Sequence, residues 1–120
     1  MNIYALKSRL EAKIKHKDKH LSREERDSIH RAYIKYHKQH NEDVIYSIAM
    51  EELAELTQQL SKILRGKEQF NNVALLEEMA DVEICMDNLK MLMNTDNEQL
   101  EYIKDIKMQR ISEKIEKGEL

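Results

Sequence analysis

Glu52, Glu55, Glu78 and Asp81 are the side chains of this sequence that could do chemistry as a group. They come as two pairs, Glu51-Glu52-x-x-Glu55 and Glu78-x-x-Asp81. On a helix, positions i and i+3 are neighbours on one face, so each pair projects together. Between the pairs lies Arg65-Gly66-Lys67, where Gly66 can end a helix in the left-handed conformation. Asn71 and Asn72 follow, and either can cap the next helix. The pairs lie symmetrically about Gly66 and Lys67. An antiparallel helical hairpin turning there therefore brings all four carboxylates level.

Helical phase sharpens this. At roughly 100° per residue, Ile45, Ile48, Ala49, Leu53, Leu56, Leu60 and Ile63 form one apolar stripe. Glu52 falls inside it, Glu55 at its edge, and Glu51 points away. On the second helix the stripe is Leu75, Met79, Val82, Met86, Leu89 and Met93. Glu78 falls inside it, Asp81 and Asn88 lie along one edge, and Glu77, Glu83 and Asp87 point away. An acid on an apolar face is costly unless neutralised. Neither stripe holds a Lys or Arg to pair with these acids. A divalent cation is the simplest remedy, and all-oxygen ligands suit Mg²⁺ or Mn²⁺.

This pattern resembles the signature of MazG-type nucleotide pyrophosphohydrolases, in the all-α NTP pyrophosphatase superfamily. Asn88, seven residues after Asp81, matches a position where that family carries Asn. The resemblance covers roughly residues 43–117. It implies metal-dependent hydrolysis of a nucleoside triphosphate, a dNTP foremost, to the monophosphate and pyrophosphate. It further implies that Lys107 and Arg110 contact the triphosphate. It also implies a homodimer or dimer of dimers with helices of both subunits building each site.

The residue chemistry fits that reaction. A cation held by Glu52, Glu55, Glu78 and Asp81 would activate water and neutralise phosphate charge. Lys62, Arg65, Lys67, Lys107 or Arg110 would hold the outer phosphates. One of the acids, or Glu51 behind them, would act as general base. Asn88 would hydrogen-bond sugar or base, and Tyr33, Tyr36 and Tyr46 are candidates for a base-pocket wall. The alternative is a non-catalytic helical interaction module or a decayed nucleotide-binding relative. A di-iron carboxylate bundle is disfavoured, because neither acidic pair carries the Glu-x-x-His partner.

The elements that must position these groups are helices. The chain has 120 residues, no Pro, two Gly and 36% charged residues. That composition suits a single all-α domain over 1–120 and excludes a Gly-rich phosphate loop. The expectation is a bundle of about five helices around the central hairpin, completed by dimerisation because a core with 5% aromatics is thin. Ile3, Leu6, Leu10 and Ile14 mark a first helix. Ser22 with Glu25 is a capping box opening a second helix to about His40, with a stripe of Ile29, Tyr33, Tyr36 and His40. Asn41 or Asp43 caps the third. Asn94-Thr95-Asp96 breaks the chain before a last helix striped by Leu100, Ile103, Ile106, Ile111 and Ile115.

Residues 1–40 hold eleven Lys/Arg against five Asp/Glu, and residues 41–120 nine against eighteen. The basic N-terminal helices read as a solvated face or a dock for an acidic surface of another subunit, and no nucleic-acid motif accompanies them. His16 and His20 are spaced as metal ligands, but no cysteine or carboxylate cluster completes a zinc site. The lone Cys85 excludes an intrachain disulfide and reads as a small buried hydrophobe. No signal peptide or membrane-length apolar run is seen, so a cytoplasmic protein is expected.

Overall fold

The computed structural model describes residues 3–12, 14, 20–69, 72–94 and 97–120. Among these the regular structure is all helical: α1 (Ile3–Glu11), α2 (Arg23–His40), α3 (Asp43–Leu64), α4 (Val73–Leu92) and α5 (Asn97–Glu116). Most of the Lys13–His20 run lies outside the described residues, His16 included, as do Asn71, Thr95 and Asp96.

Local chemistry sets the helix ends. The Ser22 hydroxyl accepts from the Glu25 amide at 3.1 Å, and the Glu25 carboxylate accepts from the Ser22 amide at 3.1 Å. This is the expected capping box, and it starts α2. The Asn41 side chain accepts from the Asp43 amide at 3.1 Å and turns the chain into α3. At the end of α3 the Gly66 amide bonds the Ile63 carbonyl at 3.0 Å and the Lys67 amide bonds the Lys62 carbonyl at 2.9 Å. These two bonds form a Schellman motif. Gly66 takes φ +73° there, which a side chain would strain. Asn72 caps α4, accepting from the Leu75 amide at 2.8 Å. Asn94 reverses the chain after α4 with φ 52°.

The hairpin of α3 and α4 is the centre of the fold. Its seam runs through Ile45, Ala49, Glu52, Leu56, Gln59 and Ile63 on α3, and Leu75, Glu78, Val82, Cys85, Leu89 and Leu92 on α4, all buried or half-buried. Steps alternate between three and four residues, the spacing of a knobs-into-holes interface. The buried stripe is therefore rotated from the apolar one expected. Leu53 and Leu60 are exposed, as are Met79, Met86 and Met93. Glutamates, Gln59 and Cys85 occupy seam positions instead. Near the turn, the buried Gln59 amide donates to Asn72 Oδ1 at 3.0 Å and to the Glu68 carboxylate. The turn is thereby locked to the seam.

Helix α2 packs across this hairpin through Ile34, flanked by His30 and His37. The stripe expected on α2 is out by one residue, since Ile29 and Tyr36 are both exposed. Helix α1 is tied to α4 by an ion pair between Arg9 and Glu77. Glu77, expected to point away, is half-buried by that contact. Helix α5 has no buried residue, and Ile103, Ile106, Ile111 and Ile115 are exposed. The radius of gyration is 17.7 Å, against about 14 Å for a closed chain of this length.

Asn72 serves both the α4 cap and the buried Gln59. Asn72→Ala is expected to lower unfolding free energy by about 1–2 kcal/mol. Urea denaturation checks this, and Asn94→Gly, which relieves a left-handed residue, should not destabilise.

Candidate metal centre

Glu52 and Glu78 face each other across the hairpin seam, each with a second acid three residues on. The result is the cluster expected from the sequence. One ligand oxygen from each of Glu52, Glu55, Glu78 and Asp81 lies within 4.8 Å of the others. Glu52 and Glu78 are half-buried, while Glu55 and Asp81 form the solvent edge. Oε2 of Glu52 and Oε2 of Glu78 are buried without a hydrogen-bond partner. Among the described residues no cation pairs with any of the four. An unpaired buried carboxylate oxygen costs several kcal/mol unless it is protonated or bound to a cation.

The acids respond to this crowding. Burial, then the charges of Asp81 and Glu55, pushes Glu52 up from 4.5 to about 7. Burial and the Glu55 charge raise Glu78. Burial and the Glu55 charge also raise Asp81, against a lowering hydrogen bond from Glu52. Four carboxylates this close, in a cluster that leaves two oxygens unpartnered, fit a divalent cation such as Mg²⁺ or Mn²⁺. The neutral alternative is a proton shared within the cluster.

A cavity of about 330 Å³ opens beside the cluster, with Glu52 and Asp81 on its rim. Its walls come from α2 (Ile29, His30, Tyr33), α3 (Ile48) and α4 (Ile84, Cys85, Asn88). Asn88, expected at the stripe edge, is buried at 7% exposure. Its Oδ1 lies 2.5 Å from His30 Nδ1, so that nitrogen carries the proton. Tyr33 is the wall tyrosine, whereas Tyr36 and Tyr46 are exposed and lie elsewhere. Burial raises the Tyr33 hydroxyl, and burial plus the nearby Glu52 and Asp81 raises the Cys85 thiol. Cys85 thus stays a neutral thiol, as expected of a buried hydrophobe.

The other expected site residues are distributed unevenly. Glu51 is exposed and outside the cluster. Lys62 and Arg65 line a separate surface cavity with Thr57 and Ser61. Lys62 is seven residues from Glu55, so it shares that face of α3, about 10 Å further along. Lys67 is exposed at the turn. Lys107 and Arg110 are exposed on α5, which lends no residue to the cluster or to the cavity beside it. His30 is a site residue that the sequence reading missed. Its spacing to Ile34 and His37 marks one face of α2, but the apolar Ile29, Tyr33 and Tyr36 outweighed that signal.

No protein-family model matches the chain, and neither a curated protein nor a solved structure matches it significantly.

The raised acids give a signed pH dependence in the metal-free protein. Between about pH 4.5 and 7 the unfolded chain gives up the Glu52 proton while the folded chain keeps it. Stability is therefore full below this window, falls across it and levels above it. Glu52→Gln is expected to flatten the decline and raise the melting temperature in EDTA at pH 7.5 by about 4 °C. It should also shrink the Mg²⁺-induced rise. Exposed Glu83→Gln should do neither. Equal melting of all three proteins in thermal scans would contradict the buried cluster.

Proposed function

We propose that the chain is a divalent-cation-dependent nucleoside triphosphate pyrophosphohydrolase of the MazG-like kind its motif resembles. A dNTP is the leading substrate class, and the reading implies action in the cytoplasm. The observation that carries the proposal is the pair of orphaned glutamate oxygens at the hairpin seam, in a cluster whose Glu52 and Asp81 reach the rim of a cavity between α2 and the hairpin. A packed helical interface gains nothing from two unpaired acids unless they hold something.

Glu52, Glu55, Glu78 and Asp81 would hold Mg²⁺ or Mn²⁺. Bound there, the ion supplies a Lewis acid that polarises phosphoryl oxygen and lowers the pKa of water. Glu55 or Asp81, at the solvent edge, takes the proton from the attacking water. The cavity takes the nucleoside, with Tyr33 and Ile84 against the base. Asn88, oriented by His30, offers its amide to base or sugar. Lys62, on the Glu55 side of α3, holds the leaving diphosphate; Arg65, about 15 Å along the helix from Glu55, lies beyond its reach. Attack at the α-phosphate yields NMP and pyrophosphate.

Lys107 and Arg110 enter this scheme through assembly. The exposed apolar face of α5 and the open shape of one chain support a homodimer or dimer of dimers. A second copy's α5 would bring those two cations to the acids. Sedimentation should show at least twice the 14.3 kDa chain mass. Ile106→Glu should yield a monomer with unchanged helicity and little activity. A wild-type monomer at micromolar concentration would remove the role of α5.

The reading itself is tested by incubating the protein with Mg²⁺ and a panel of dNTPs and quantifying products. Pyrophosphate with NMP is expected, falling about 100-fold or more in Glu52→Gln and Glu78→Gln. Orthophosphate with NDP would mean that the cations grip another phosphate. Nucleotide binding without turnover would favour a decayed relative.

A further inference from the structure

A second cavity, of about 470 Å³, lies on the other side of His30 from the one beside the acids. It is built by the start of α2, the end of α4 and the start of α5. Arg23, Arg26, Arg31 and Lys90 line it, against the carboxylates of Asp27 and Asp87. Lys90 is partly engaged, 3.6 Å from Asp87. The three arginines make no ion pair among the described residues.

Arg23 is the first residue of α2 and Asn97 the first of α5, so both helices present their positive ends to this space. Asn94 and Asn97 add neutral polar groups at the rim. Unpaired guanidinium groups gathered around an open polar cavity repel one another, and an oxyanion relieves that repulsion. The planar fork of arginine suits phosphate oxygens in particular.

We propose that this cavity is an oxyanion site taking a phosphate or diphosphate group, distinct from the acidic centre. Lys90 is nine residues beyond Asp81 on α4, about 14 Å along the helix. The tail of a triphosphate seated with its α-phosphate at the acids does not extend to it. The group bound here is therefore a second phosphate. It is either carried on the far side of a nucleotide whose base fills the neighbouring cavity, or brought by an independent small phosphate. His30 lines both cavities and would sense occupancy of each.

The site needs no metal, so its test is separate from that of the hydrolytic reading. Inorganic phosphate and pyrophosphate are titrated into the full-length protein in EDTA, with binding followed by phosphorus-31 NMR. Saturable binding is expected, weakening with salt. It should weaken about tenfold or more in Arg23→Gln/Arg31→Gln and persist unchanged in Glu52→Gln. Lys114→Gln, which removes an exposed charge on α5, should have no effect. Circular dichroism melts confirm that the arginine variant folds.

A nucleoside 3′-monophosphate separates the two sources. Binding tighter than phosphate alone, and weakened by Tyr33→Ala, assigns the site to a nucleotide spanning both cavities. Equal binding assigns it to an independent phosphate ligand. No binding in EDTA, or binding indifferent to the arginine change, overturns the proposal.

Discussion

Two carboxylates at the seam of a helical hairpin are the constraint on which the rest depends. Glu52 and Glu78 occupy positions that in an ordinary knobs-into-holes interface would be apolar. Each leaves an oxygen buried and unpartnered. Apolar residues would pack better there, so the hairpin is less stable than the same helices could be. The remaining features hold the seam in register despite this. The Gly66 turn, the Asn72 cap and the Gln59 bridge close one end. Ile45, Ala49 and Cys85 close the other, with α2 laid across them. A one-residue slip would separate the acids, and the locked turn opposes it.

Beside the acids, α2, α3 and α4 enclose the cavity walled by Tyr33 and His30. The His30–Asn88 hydrogen bond crosses that cavity and supports it from the α4 side. Beyond His30 the charge reverses, from carboxylates to arginines. The molecule thus carries opposite fields on the two sides of one histidine.

Much of this was legible in the residues. The hairpin, its Gly66 reversal, the Ser22 capping box and the grouping of Glu52, Glu55, Glu78 and Asp81 follow from spacing and local hydrogen-bond chemistry. The exact face of each helix did not. Apolar periodicity pointed to Leu53, Leu60, Met79 and Met86, yet the seam runs through Glu52, Gln59, Glu78 and Cys85. Polar residues at seam positions are invisible to a count of apolar ones, and α2 was misphased by one residue for the same reason. Asn88 was recognised as notable but not as buried, because its partner His30 lies 58 residues away in sequence. Lys107 and Arg110 could not be placed from one chain at all. Their helix has no buried residue in a single copy.

The central claim is that the seam acids hold a cation in exchange for protons. The most direct measurement is proton release when Mn²⁺ or Mg²⁺ is added to metal-free protein in weak buffer. With Glu52 raised to about 7, addition at pH 6.5 should liberate a substantial fraction of a proton per chain. Release should decline towards pH 8 and shrink markedly in Glu52→Gln. Cation binding without proton release at pH 6.5, or no binding at all, would contradict the account.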